Sequence, residues 1–495
     1  MAKRKRKRNV IGIILLLIQV IAAAVFVVLL SHLDVLPGRY VIIIAAILMG
    51  LCIIALIMNI SASGKTVGAV YSAVIAVILI FGSVYLWKTN ATLDEVSTQE
   101  NHYVTSQISI LVKADRGMEG LQDLQGEKIG TQQMLDQAKM KQSLTELQMY
   151  FEEELGTVEY ISYISAVDGL YSGEVGAILF NEAFRDMVKD SYPGFDTETV
   201  VLTEYKYKEI TKTTEDEKND TSAINKAEKD IRQDTFIVYL SGNDSYGEVY
   251  IDGGRSDVNI LMVVNPESKQ ILLITTPRDS YVWLPRFQAN DKLTHSGIYG
   301  IDVPMETLEY LYDIEIDYYA RINFSGFEDI IDALGGVTVY CDEDFSTFDG
   351  RYFEEGYVDL DGSEALSFVR ERHNVSGGDL GRGRHQMAVI DAMIEKATSP
   401  AILKNYLSLM DSISGAFITN MPKDKISDLV KMQLDDNASW TITRYEVDGA
   451  GNMRTTCYSS WGFEASVIDL YDDSVEEAIY LIQKIQNGES LDDYD

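Results

Sequence analysis

Between Phe368 and Gln386 the chain sets Arg370, Arg372, Arg382 and Arg384 within a short stretch broken by Gly377, Gly378, Gly381 and Gly383, with His373, His385 and Asp379 among them. The chain as a whole carries a formal charge of -34, so a local knot of guanidinium groups is out of character. Guanidinium forks match phosphate oxygens in pairs and do not deprotonate, which suits them to gripping a phosphate or diphosphate. A solvated face, with Glu371 and Asp379 neutralising part of the cluster, is the plainer alternative. A second polar set weighs against it. Asp244, Arg255 and Asp257 stand in "SGNDSYGEVYIDGGRSD", and Arg278 in "TTPRDS", each beside an apolar run. Two carboxylates near arginines suit a divalent cation that bridges an anionic ligand. Magnesium (or manganese) fits, held by one or two carboxylates, with phosphate oxygens and water completing its shell. The simpler role for Asp244 and Asp257 is capping turns.

Those residues need a rigid frame. Phe236–Leu240, Val258–Asn265 and Ile271–Thr276 read as strands, the last two forming a hairpin across Pro266-Glu267. Strand ends on a rigid sheet can aim side chains into a cleft. Helices at Pro304–Leu311, Phe327–Leu334 and Ser363–Val369 alternate with strands at Tyr318–Phe324 and Val337–Tyr340. A helix predicted over Arg384–Ala397 places Arg382 at or just before its N-terminus, where backbone N–H groups also favour an anion. Farther on, Ile402–Met410, Lys425–Leu434 and Ser474–Gln486 look helical and Trp440–Val447 strand-like. Three cysteines give no disulfide framework, and nothing supports a Cys341–Cys457 bridge.

The N-terminal part decides the compartment. Lys3–Arg8 is basic, and Val10–Leu30, Tyr40–Ile60 and Val67–Trp87 are apolar runs of about bilayer-crossing length. A cleaved signal peptide has a shorter apolar core and no further spans. By the positive-inside rule the basic tail (1–9) stays cytoplasmic, and three crossings (10–88) put the bulk of the chain outside. The expectation is a multi-pass protein of the cell membrane, in contact with the lipid bilayer. That placement and the acidity exclude nucleic acid as a partner, and no P-loop pattern is present.

Residues 101–207 read as a small extracellular α/β domain. Strands are expected at Gln107–Val112, Ile129–Thr131 and Val175–Phe180, with helices over Met134–Leu155 and Asn181–Val188. Its "LQGEKIGTQQ" and "VDGLYSGEVGAILFN" resemble one half of an extracellular solute-binding domain; an accessory role is the safer reading. A polar linker (208–232), a second domain (233–400), its extension (401–488) and an acidic tail (489–495) complete the expected organisation.

"GNDSYGEVYIDGGRSDVNILMVV", "TTPRDSYV", "INFSGFEDIIDALGGVTV", "LDGSEALSFVRERH" and "DLGRGRHQMAVI" together resemble the LytR-CpsA-Psr family over about Thr235–Ala397. The three spans and the intervening domain are similar to its capsule-associated CpsA branch. The resemblance implies a membrane-anchored α/β protein of a Gram-positive cell, whose catalytic domain is an α-β-α sandwich on a mixed central sheet. It implies a magnesium-dependent phosphotransferase that moves a glycopolymer, capsular or teichoic-acid-like, from a polyprenyl-pyrophosphate carrier onto peptidoglycan. Capsule-synthesis membrane proteins are further implied partners. Asp244 and Asp257 then match the metal aspartates, and Arg255, Arg278, Arg370, Arg372 and Arg382 the pyrophosphate-binding arginines. Asp379 matches the downstream acidic residue, and Gln386 is a supporting candidate. Asp379 or Asp257 is the candidate to assist deprotonation of the acceptor. Phe327, Ile330, Ile331 and Leu334, with Val389, Ile390 and Met393, are candidates to line a tunnel for the isoprenoid chain; packing is their ordinary role. A hydrolase of the lipid-linked pyrophosphate and a membrane-bound regulator of capsule or wall synthesis are the alternatives.

Overall fold

The computed structural model describes residues 10–61, 65–97, 101–213, 229–243, 254–399, 412, 417–436 and 438–491. Asp244, the basic segment Lys3–Arg8 and the helix expected over Ile402–Met410 lie outside the described residues.

Three helices, α1 (Val10–Leu33), α2 (Gly38–Ile60) and α3 (Lys65–Ser97), are long and apolar enough to cross a membrane. Their outward surface is apolar, with Ile42 72% and Phe81 74% exposed, so their stable surroundings are no more polar than lipid. The polar side chains turn inward. Asn59 donates to Ser72 at 3.2 Å between α2 and α3, and Gly82 of α3 leaves room for the Phe26 ring of α1. Small residues and inward hydrogen bonds are how helices associate where no hydrophobic force separates them from lipid. The turn after α1 and the end of α3 lie against one further helix, Lys423–Asp436. Lys431 meets Asp34 and Lys423 meets Asp94, each at 2.7 Å, and Asp435 meets Arg39 at 2.5 Å.

The first α/β unit carries β1 (Asn101–Lys113), β2 (Lys128–Gln132), β3 (Gly156–Tyr160), β4 (Ala177–Asn181) and β5 (Thr199–Thr213) in the order β3-β2-β4-β1-β5. β2 is parallel to β3 and β4, and β1 is antiparallel to β4 and β5. Every residue of β4 is buried, as a strand covered on both faces requires. The helix expected over Met134–Leu155 is shorter, running Gln137–Gln148. Gln148 ends it: its amide donates to the Glu153 carbonyl at 2.8 Å while its side-chain oxygen accepts from Leu155 N–H at 2.9 Å, folding the chain into β3. β5 pairs with β1 as far as Thr213, so the sheet reaches into the stretch expected as linker.

The second unit is built on β6 (Phe236–Asn243), β7 (Val258–Asn265), β8 (Gln270–Thr275), β9 (Tyr281–Leu284), β10 (Ala289–Lys292), β11 (Tyr318–Asn323), β12 (Val337–Cys341), β13 (Phe345–Ser346), β14 (Tyr352–Phe353), β15 (Gly356–Leu360), β16 (Phe417–Thr419), β17 (Thr441–Glu446), β18 (Gly449–Arg454) and β19 (Ala465–Leu470). The central sheet has the order β16-β11-β6-β7-β8-β17, and β9–β10, β12–β15, β13–β14 and β18–β19 form separate two-stranded sheets. It is mixed, with β6–β11 and β8–β17 parallel and β6–β7–β8 antiparallel. The hairpin expected across Pro266-Glu267 is β7–β8.

Side chains alternate across this sheet with the strand period of two. Ile237, Tyr239, Leu261, Val263, Leu272 and Ile274 enter a core with Leu308, Leu481 and Ile485, from helices Asp302–Tyr312 and Asp472–Gln486. Phe236, Val238, Ile260, Ile271 and Leu273 enter another with Met387 and Ile390 of helix Asp379–Thr398. Apolar side chains on both faces demand a helical layer on each, which gives the expected α-β-α sandwich. Helices Phe324–Ala333 and Gly362–Arg370 extend it. Cys341 and Cys457 are buried free thiols.

Candidate active site

The topology collects polar side chains at one edge of the central sheet. β8 and β17 run parallel and finish together, with Glu446 opposite Thr275. β7 runs the other way, so Asp257, one residue before it, stands at the same edge as Arg278, three residues past β8. In open α/β sheets, ligands bind in the crevice beyond the strands' carboxyl ends. Helix Asp379–Thr398 arrives there N-terminus first, after Gly378 turns the backbone at φ 60°. The resulting cleft opens to solvent, and Asp257, Arg278, Asp379, Arg382, Gln386 and Glu446 are among its lining residues.

Opposite charges interlock within it. Arg278 donates to Asp257 Oδ1 at 2.5 Å, and Thr294 Oγ1 donates to the same oxygen at 3.0 Å. Burial opposes charge on Asp257, but Arg278, Arg255 and Arg382 outweigh it and hold the carboxyl below its ordinary range. Burial likewise works against Arg278, and Asp257, Asp279 and Asp379 more than compensate, so its pKa is raised. Arg382, 8% exposed and bonded to Asp379 one turn back, has its pKa lowered by burial and by the charges of Arg278 and Arg372. A dianionic guest would relieve that crowding of like charge. Asp257 Oδ2, Asp379 Oδ2, Glu446 Oε1 and Arg278 Nε are buried without a hydrogen-bond partner. Such atoms are costly unless something binds them.

The expected residues sort into three groups. Asp257, Arg278, Asp379, Arg382 and Gln386 line the cleft. Arg255 and Arg372 lie at its margin, close enough to act on Asp257 and Arg382 respectively. Arg255 also reaches across to Asp190 of the first domain at 3.4 Å. Arg370 does not line the cleft; it is the last residue of its helix and lies over the Phe324 ring at 4.3 Å. Asp244 cannot be assigned to a group, being outside the described residues. Glu371 does not neutralise the arginines beside it. Its carboxylate accepts from the backbone N–H groups of Arg372, His373, Asn374 and Phe348 at 2.8–3.1 Å, pinning the loop that carries Arg372. His385 stacks between Phe345 and Phe368, away from the cleft lining.

Glu446 is a cleft residue that the sequence does not single out. It is 3.3 Å from Arg384, and Gly383 approaches it so closely that a Cβ there would stand 3.3 Å from its Oε1. The available signal was its place as the last charged residue of the strand-like run Trp440–Val447.

For a divalent cation, the buried, unpartnered Oδ2 of Asp257 is a donor of the right chemistry. No group of three His, Cys, Asp or Glu side chains is gathered for a metal among the described residues. Asp257 Oδ2 would hold such an ion together with substrate oxygens and water. The residues proposed for tunnel lining pack as core: Ile331 and Val389 share one cluster, and Ile330, Leu334 and Met393 join Phe417 in another.

A model of the LytR_cpsA_psr family matches residues 200–472. The polyisoprenyl-teichoic acid–peptidoglycan teichoic acid transferase TagU of Bacillus cereus (strain AH820) is 34% identical over 219 residues, 44% of this chain and 71% of its own length. The protein of the same name from Enterococcus faecalis (strain ATCC 700802 / V583) is 33% identical over 224 residues, 45% of this chain and 73% of its own. The solved structure of TagT bound to LIIa-WTA is 27% identical and covers 53% of this chain and 94% of that one, with a TM-score of 0.43. The central domain, its motifs and the extent of the match make this chain a member of the LytR-CpsA-Psr family.

Proposed function

We propose that this protein is a membrane-anchored phosphotransferase that moves a glycopolymer from a polyprenyl-pyrophosphate carrier to a hydroxyl of peptidoglycan. The observation that carries the reading is the convergence of Arg278, Arg382 and Asp257 in one cleft whose buried polar atoms lack partners. The names of the TagU relatives specify the same donor and acceptor classes. Arg278 and Arg382, with Arg255 and Arg372 at the margin, would neutralise the two phosphoryl groups. Asp257, with Asp244, would hold a magnesium or manganese ion. Such an ion, when bound, supplies positive charge to the phosphate oxygens.

The placement of the anchor supports delivery from the bilayer. The three apolar helices meet helix Lys423–Asp436 at the ends that would face outward if the basic N-terminus is cytoplasmic. A capsular polymer in place of teichoic acid, and capsule-synthesis proteins as membrane partners, belong to the same reading.

The test is reconstitution of the full chain with a polyprenyl-pyrophosphoryl oligosaccharide, magnesium and peptidoglycan fragments, followed by mass analysis. Phosphodiester-linked glycan is the expected product. Phosphorylated glycan released without any acceptor requirement would instead make the protein a hydrolase.

A further inference from the structure

We propose that Glu446 is the general base of the transfer, taking the proton of the acceptor hydroxyl as its oxygen attacks phosphorus. The inference rests on the phosphotransferase reading above and adds a residue to it. Asp257 and Asp379 each give one oxygen to an arginine that lines the cleft, Arg278 and Arg382, whereas Glu446 pairs with Arg384, which is not among the lining residues. Glu446 lines the same cleft, and its Oε1 is buried and unpartnered, so one oxygen is free to receive a proton inside the cleft. Its other oxygen is tethered by Arg384 Nη1 at 3.3 Å, which fixes the direction in which Oε1 points.

The groups facing it fit that role. Thr275 packs from β8, Arg384 and Asp379 come from the Asp379–Thr398 helix, and Asp448 follows on its own segment. Burial pushes the Glu446 carboxyl up to about 7; Arg384 pulls it back, and Asp448 and Asp379 add to the rise. A base whose affinity for a proton lies near neutrality is ionised often enough to act and basic enough to act well. Asp257, held below its ordinary value, is a much poorer acceptor.

In the step, the acceptor oxygen forms a bond to the glycan-side phosphorus, and the bond from that phosphorus to the bridging oxygen breaks. The electron pair leaves with polyprenyl monophosphate, and the hydroxyl proton goes to Glu446 and then to solvent or the departing phosphate. Atoms and charge balance with no further reactant.

Three variants of the full chain test this: Glu446→Gln, Glu446→Asp and Arg384→Ala. Wild type should show a transfer rate that rises with pH through an acid limb near the value of about 7 read for Glu446. Glu446→Gln should lose that limb and run about 10²–10⁴-fold slower at the plateau, while binding polyprenyl diphosphate as wild type does. Glu446→Asp should keep the limb at reduced rate, and it carries the test if Glu446→Gln does not fold. Arg384→Ala should move the limb to higher pH, because the cation that favours the charged carboxylate is gone. An acid limb that persists in Glu446→Gln, vanishes in Glu446→Asp or stays unmoved in Arg384→Ala overturns the assignment and leaves the phosphotransferase reading intact. A wild-type protein that makes no acceptor linkage overturns that reading itself.

Discussion

The molecule has two parallel-strand edges rich in polar side chains, and they differ in how their hydrogen bonds are spent. In the first domain, the ends of β2 and β4 present Gln132, Asp136 and Asn181. Asp136 accepts from Tyr163 at 2.9 Å and from Asn181 at 2.8 Å, and Gln132 binds the Leu135 N–H and the Ile161 carbonyl. Tyr299 and Tyr458 of the second domain pack over this domain's core; the Tyr299 hydroxyl is buried without a partner, as are those of Ser109, Tyr171 and Tyr205 elsewhere in the domain, but all four are neutral. The central sheet's edge instead keeps Asp257 Oδ2, Asp379 Oδ2, Glu446 Oε1 and Arg278 Nε unpaired beside an open cleft. Polar residues at strand ends are common to both. Unspent hydrogen-bonding capacity, with arginines crowded around it, is what separates a site from a structural joint.

Substitutions can break or sharpen that contrast. The largest effect belongs to the Asp257–Arg278 pair. Either Asp257→Ala or Arg278→Ala should abolish transfer in the reconstituted assay. Each removes the nearest partner of a buried charge, so each should also cost up to about 3–5 kcal/mol of stability by denaturant unfolding. Next, Arg382→Ala should weaken binding of polyprenyl diphosphate by about ten- to a hundredfold, the value of one or two charge-assisted hydrogen bonds. Arg370→Ala, outside the cleft over Phe324, should weaken it less than Arg382→Ala when both are titrated side by side. At the closed edge, Asp136→Asn should lower stability by about 1–3 kcal/mol and leave transfer per folded molecule unchanged. A comparable loss of transfer there would erase the distinction between the two edges.

The smallest effect on transfer is expected at Asp391, whose carboxyl is half-buried and outside the cleft lining. Burial lifts it to about 6, with Arg444 at 3.8 Å only partly opposing. A carboxyl raised in the fold favours the folded state most when protonated, so stability falls as pH rises from the unfolded value toward 6. Asp391→Asn should therefore stabilise the protein at pH 7, by up to about 2–3 kcal/mol, and flatten thermal stability between roughly pH 4 and 6.

Much of this frame is legible in the sequence where the signals are local. Val258–Asn265 and Ile271–Thr276 declare a hairpin by their apolar runs and short turn, and the arginine-rich segment stands out against an acidic chain. What escapes is long-range. Glu446 reaches the cleft only because β17 pairs in parallel with β8, and one glutamate in so acidic a chain carries no local mark. Arg370 and Arg372 look equivalent by spacing, but the helix ends between them, so one lies over Phe324 and the other stands in the following loop, near enough for its charge to act on Arg382. Helix length misleads at Met134–Leu155, where one glutamine side chain replaces the next turn's backbone partners.

The central claim is that the edge holding Arg278 and Arg382 binds a lipid-borne diphosphate. Titrating the full chain, in detergent with magnesium, against a short polyprenyl diphosphate and its monophosphate tests it most directly. Wild type and Asp136→Asn should both bind the diphosphate more tightly than the monophosphate, with Arg278→Ala at least about tenfold weaker for the diphosphate. Equal affinity of Arg278→Ala and wild type for the diphosphate would contradict the account.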